Sequence, residues 1–106
     1  MKKYEVAFII QPNLEESKIQ ELSNKLKEIY TNSGSKIIDE EVVGMREMAY
    51  EIEKHKTGYY VFFTTESESK INDEFERICR LNEDVIRWLV IDIDDVEDNT
   101  LDVLRK

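Results

Sequence analysis

Side chains suited to covalent or metal chemistry are scarce in this sequence. There is one histidine, His55, and one cysteine, Cys79, with no Cys pair, no HExxH and no glycine-rich phosphate loop. His55 lies between Lys54 and Lys56 in a polar turn, where a solvated ring is expected rather than a general base. Cys79 falls on an apolar helical stripe and reads as a small buried hydrophobe. Carboxylates are numerous, but none stands in an apolar setting that spacing marks as catalytic, and Asp39, Glu40 and Glu41 read as a solvated strand end. Catalysis, a metal and any other cofactor are not expected. What remains is recognition, and residues 42–63 (VVGMREMAYEIEKHKTGYYVFF) carry it: their second arm, Tyr59, Tyr60, Val61, Phe62 and Phe63, is bulky on both faces of a strand.

The elements that position this stretch follow from periodicity. Residues 3–10 contain Val6, Phe8, Ile9 and Ile10 and read as a first strand ended by Pro12. Asn13, with Glu16 three residues on, can cap a helix over about residues 14–32, on which Ile19, Leu22, Leu26, Ile29 and Tyr30 form one stripe and Gly34 the stop. A long second strand over residues 36–52 needs a bend, and Gly44 offers a bulge. Residues 53–58 form a turn into a third strand over residues 59–65. Ser67 or Ser69 can cap a second helix with Ile71, Phe75, Ile78 and Cys79 on one face and Asn82 at its close; the fourth strand covers residues 85–93. This βαββαβ order predicts an α+β, ferredoxin-like split-βαβ fold, a four-stranded antiparallel sheet with two helices on one face. One domain over residues 1–93 is expected, followed by a flexible acidic tail over 94–106 with at most a helical turn after Asn99.

With 41% hydrophobic and 37% charged residues the chain should fold, and its net charge of −9 opposes broad attraction to nucleic acid or anionic membranes. Any RNA contact has to be local. The short apolar run before Pro12 is neither a signal peptide nor a membrane span, and a lone cysteine suits the cytoplasm.

Two helices on one side leave the other sheet face open. Taking Val6, Phe8 and Ile10 as the core set of the first strand, we assign Tyr60, Phe62, Thr64, Ile86, Trp88 and Val90 to the same side. The open face then carries Ala7, Ile9, Tyr59, Val61, Phe63, Leu89 and Ile91, with Arg87 among them, and so large an apolar patch suggests a protein-partner face. Long side chains and the tail covering that face are the alternative. A ferredoxin-like regulatory or dimerisation module that binds its own copy is another. Residues 56–63 loosely resemble the aromatic signature of RNA-recognition motifs, but Tyr60 stands where Gly or Ala lets bases approach.

The motifs Gly44-Met45-Arg46-Glu47-Met48-Ala49-Tyr50, Gly58-Tyr59 and Leu81-Asn82-Glu83-Asp84-Val85-Ile86-Arg87, together with Lys3-Tyr4-Glu5 and Pro12-Asn13-Leu14, resemble the bacterial small-subunit ribosomal protein six family from the start to about Ile91. The resemblance implies the same split-βαβ fold and no enzymatic role. It also implies binding to the central domain of small-subunit rRNA together with ribosomal protein eighteen, a small basic partner, in the cytoplasm and without a membrane or small-molecule substrate. The RNA-contact candidates it implies are Lys2, Lys3, Tyr4, Arg46, Tyr50 and Arg87. For Tyr4 and Tyr50 a core role competes, and Arg46 could instead pair with Glu47 or Glu51. Glu47 stands where the family often has a second basic residue, Asp92 near another, and Trp88 where it often has histidine.

Overall fold

The computed structural model describes residues 2–52 and 54–93; the acidic tail expected over 94–106 lies outside them. Strands β1 (Lys2–Ile10), β2 (Lys36–Ile52), β3 (His55–Ser67) and β4 (Val85–Asp92) alternate with helices α1 (Glu16–Thr31) and α2 (Ser69–Leu81) in the predicted βαββαβ order. The four strands form one antiparallel sheet in the order β2-β3-β1-β4. β1 is central, hydrogen-bonded to β3 on one side and β4 on the other. The architecture is ferredoxin-like.

The helices lie where the apolar stripes put them. Ile19, Leu22, Leu26 and Tyr30 of α1 and Phe75 and Cys79 of α2 are buried against Val6, Phe8 and Ile10 of β1. Tyr30 anchors this layer: its ring meets Phe63 edge-on at 5.5 Å, and its hydroxyl donates to Asn72 Oδ1 at 2.8 Å. The pair satisfies the two polar groups that burial would otherwise penalise. Burial drives the Tyr30 hydroxyl pKa well up and pushes the Cys79 thiol up to about 12.

The helix starts differ from the expected caps. Glu15 and Glu68 hold the cap positions without a side-chain capping hydrogen bond. The Asn13 N–H is taken instead by Gln11 Oε1 (2.7 Å), and the same Gln11 side chain donates to Asp84 Oδ1 (3.1 Å), so this segment is tied to the approach of β4 rather than capping α1. Ser67 donates to the Glu68 carbonyl (2.9 Å).

β2 bends at Gly44 as expected, at φ +85, where the pairing with β3 slips by one residue. A side chain there would be strained by the left-handed backbone. The hairpin is tighter than its sequence suggests. Ile52 lies opposite His55, Lys54 takes φ +70, and His55, predicted to be a solvated turn residue, is a half-buried member of β3.

The assignment of faces on β3 requires correction. Val6 lies opposite Phe63, Phe8 opposite Val61, and Ile10 opposite Tyr59. Residues directly opposed in an antiparallel pair share a face, so Tyr59, Val61 and Phe63 point to the helices. Val61 and Phe63 are fully buried in the core, and Tyr59 packs against its margin. They do not belong to an open partner face; Tyr60, Phe62 and Thr64, expected on the helix side, stand on that face instead, with Phe62 buried there to 4% exposure. On β4 the expectation holds for Trp88 and Val90, opposite Phe8 and Val6. Ile86 differs: a bulge puts Val85 opposite Ile10 and into the core.

Gly58 sits under β1 on the open face, where an added methyl would overlap Ile9 Cγ2. That atom is fixed at a β-branched carbon and cannot swing away cheaply.

Three outcomes follow. Phe63→Ala is expected to cost about 3–5 kcal/mol in urea unfolding and Leu89→Ala less than about 1 kcal/mol; the opposite ranking would restore the first assignment of faces. Gly58→Ala is expected to destabilise by about 1–3 kcal/mol, and Ile9→Ala in the same chain to recover part of that loss. The unfolded Cys79 thiol ionises near 9.0 while the folded one holds its proton to about 12, so the unfolded state binds fewer protons in that window and stability falls as pH rises through it. Cys79→Ala is expected to flatten part of that fall in the pH dependence of the urea midpoint.

Candidate nucleic-acid interface

The register lays out the open face row by row. At the hairpin end Arg46 lies opposite Gly58. The next row, across β2, β3, β1 and β4, is Gly44, Tyr60, Ile9 and Arg87; the row after is Glu41, Phe62, Ala7 and Leu89. Asp39, Thr64, Glu5 and Ile91 follow. The face is thus basic at the hairpin end, apolar in the middle and acidic beyond it.

At the basic end the long hairpin leans over the sheet. Tyr50, 65% exposed and on β2, brings its hydroxyl to 3.4 Å from Arg87 Nη1 on β4, the opposite edge strand. Tyr60 lies between them, and partial burial raises its hydroxyl pKa although Arg87 pulls it down. The Tyr60 and Phe62 rings sit 6.4 Å apart. Arg46 is exposed, and among the described residues its guanidinium makes no ion pair; Nη1 donates to the Met45 carbonyl at 3.3 Å. Two guanidinium groups and two tyrosines on one open surface provide forked donors for phosphate and ring faces for an unpaired base.

Not all the sequence candidates meet there. Tyr50 and Arg87 do, and Arg46 stands on the same face at the β2 edge, opposite Gly58. Lys2 and Lys3 start β1 at the other end of the sheet, about 20 Å away along the strand from the row of Arg87. Lys2 pairs with Asp92 at 3.4 Å. Tyr4, 7% exposed, belongs to the core cluster, so its ring is not offered to a ligand. Of the proposed protein-partner residues, Ile9, Leu89 and Ile91 stand on the open face and Tyr59, Val61 and Phe63 do not.

Tyr60 and Phe62 are the residues missed on this face; with Ala7, Ile9, Arg87 and Leu89 they line a shallow groove. A signal for them existed. Over the true length of β3 their set reads Lys56, Gly58, Tyr60, Phe62, Thr64 and Glu66, charged at both ends, whereas the other set ends in Thr65 and Ser67. A strand begun only at Tyr59 hides that pattern.

At the acidic end Glu5 is buried to 2% exposure and accepts a hydrogen bond from Thr64 Oγ1 at 2.7 Å. Among the described residues no three His, Cys, Asp or Glu side chains converge on a metal position, and no helix is long and apolar enough to cross a membrane.

Comparison with known proteins agrees with this architecture. A family model described as Ribosomal protein S6 matches residues 3–92. The small ribosomal subunit protein bS6 of Halalkalibacterium halodurans is 40% identical over 90 residues, covering 85% of this chain and 95% of that protein. Its counterpart in Phytoplasma australiense is 35% identical over 91 residues, covering 86% and 98%. The crystal structure of 30S ribosomal protein S6 from Thermotoga maritima superposes with a TM-score of 0.83 at 31% identity, covering 98% of each chain. On its sequence and its fold alike, the chain belongs to the ribosomal protein S6 family, a family of ribosomal structural proteins and not of enzymes.

Proposed function

We propose that this protein is a structural constituent of the small ribosomal subunit in the cytoplasm, that it contacts the central domain of small-subunit rRNA through Arg46, Tyr50 and Arg87, and that it docks ribosomal protein eighteen beside that contact. The observation that carries this reading is the gathering of Arg46, Arg87 and Tyr50 on one open face of a chain whose net charge is −9. Arginine suits the role because its planar fork grips phosphate oxygens in pairs. The acidic bulk of the chain restrains binding elsewhere along RNA.

The accessible apolar part of the same face, Ile9, Tyr60, Leu89 and Ile91, supports the protein-docking half of the proposal, and the exposed Asp39 and Glu41 beside it favour a basic partner. Lys3 shares the open side of β1 with Glu5, Ala7 and Ile9 and serves as a second, separate phosphate contact at the far end of the sheet, whereas Lys2 alternates to the other side and pairs with Asp92.

In titrations of the rRNA central domain, weak binding by this protein alone and tight binding with ribosomal protein eighteen present is the expected result. Tight, salt-insensitive binding alone would reject the cooperative arrangement. Arg46→Ala and Arg87→Ala are each expected to weaken assembly roughly tenfold, about 1–2 kcal/mol, with unfolding midpoints unchanged. Unchanged affinity in both variants would remove the two arginines from the interface.

A further inference from the structure

The helix side of the molecule carries a second surface. α1 and α2 touch each other sparingly, and an open groove runs between them along most of α1. Lys25 borders its whole length. The apolar lining comes from Leu14 and Ile29 on one side and Ile78 and Leu81 on the other. Leu81 is 71% exposed, the most exposed large hydrophobic among the described residues. A helix-terminal leucine beside two half-buried isoleucines is, among the described residues, an apolar strip without a cover.

The rim has a definite sign. Five carboxylates, Glu21, Glu28, Glu74, Glu83 and Asp84, border the groove against two lysines, Lys18 and Lys25. Two of the five are already engaged, Glu74 by Arg77 at 2.6 Å and Asp84 by Gln11 at 3.1 Å. Glu21, Glu28 and Glu83 are exposed and make no ion pair among the described residues. Lys25 has a long stem that can lie along the wall and hold its charge in water.

We propose that this α1–α2 groove docks a basic amphipathic helix of a protein partner. From Lys18 to Ile29 the groove wall spans about 16 Å at 1.5 Å per residue, which admits roughly three turns of a bound helix. A stripe at i, i+3, i+4 and i+7 on that helix covers Ile29, Ile78 and Leu81, and lysines or arginines flanking the stripe meet Glu21, Glu28 and Glu83. The rim repels RNA and anionic lipid. A second copy of this chain would bring the same carboxylates against it.

The test uses the intact protein, labelled for amide NMR, and two synthetic amphipathic helices of about three turns sharing one leucine stripe, one flanked by lysines and one by glutamates. The lysine peptide is expected to shift amides of α1 and α2 saturably while the glutamate peptide does not. Glu28→Lys combined with Leu81→Ser, both at exposed positions, is expected to weaken that binding about tenfold, and Glu51→Lys on the hairpin to leave it unchanged. Shifts centred on the sheet, equal binding of both peptides, no saturable binding, or equal loss in the hairpin variant would overturn the proposal. So would saturable binding of single-stranded oligouridylate in the groove, or self-association abolished by Leu81→Ser.

Discussion

The position of β1 between β3 and β4 is the constraint on which the rest of the structure depends. Phe8 faces Val61 on one side and Trp88 on the other, and Val6 faces Phe63 and Val90. These two rows, closed from above by Tyr30, Leu26 and Phe75, form the centre of the core. Full burial of each such side chain contributes about 1.5–3 kcal/mol, and a slip of one residue between β1 and β3 would exchange Val61 and Phe63 for Tyr60 and Phe62 under the helices. The slip would also send the hairpin's basic residues to the wrong side. Core packing and the functional surface are therefore specified by one register.

Two irregularities then aim individual side chains. On β2, Val42 lies opposite Val61 and Gly44 opposite Tyr60, so Val43 is the extra residue of a bulge. Without it, Met45 would lie opposite Gly58 and Arg46 would turn to the helix side. The glycine backbone at φ +85 is what permits the extra residue, and its consequence is an arginine on the open face. On β4 the pairing shifts between Ile9 and Ile10, which sends Val85 into the core and leaves Ile86 Cδ1 at 3.8 Å from the place a Gly58 side chain would take. Arg87 then lies opposite Ile9 and points toward Tyr50.

Helices, element order and the bend at Gly44 were legible because each depends on spacing within one segment. The stripe of Ile19, Leu22, Leu26 and Tyr30 needs no partner to be recognised. The faces of β3 depend on its register with another strand, and a run that is apolar on both sides carries no parity of its own. The length of β3 was also hidden, since His55 and Thr57 read as turn residues although they lie opposite Ile52 and Glu47 of β2 in the hairpin. The arginines and Tyr50 were identified by resemblance rather than by pattern. Their meeting was not visible in the sequence, because Tyr50 and Arg87 lie on opposite edge strands and approach only where the hairpin leans across the sheet.

This arrangement also reconciles a net charge of −9 with the proposed contact to RNA. Charges in water act within about 8 Å at physiological salt, so the field felt at Arg46 and Arg87 is set by their immediate neighbours rather than by the sum over the chain. On the open face those neighbours are Tyr60, Ile9 and Gly58, all neutral; Glu41 stands one row beyond Arg87 but on the opposite edge strand β2, and Asp39 and Glu5 lie a further row away. Glu47, next to Arg46 in sequence, lies opposite Thr57 and therefore on the other side of the sheet. The alternation of the strand thus removes the one acidic neighbour that would most weaken the arginine. A basic residue at position 47 would gain little for the same reason, because its side chain would leave the face on which Arg46 stands.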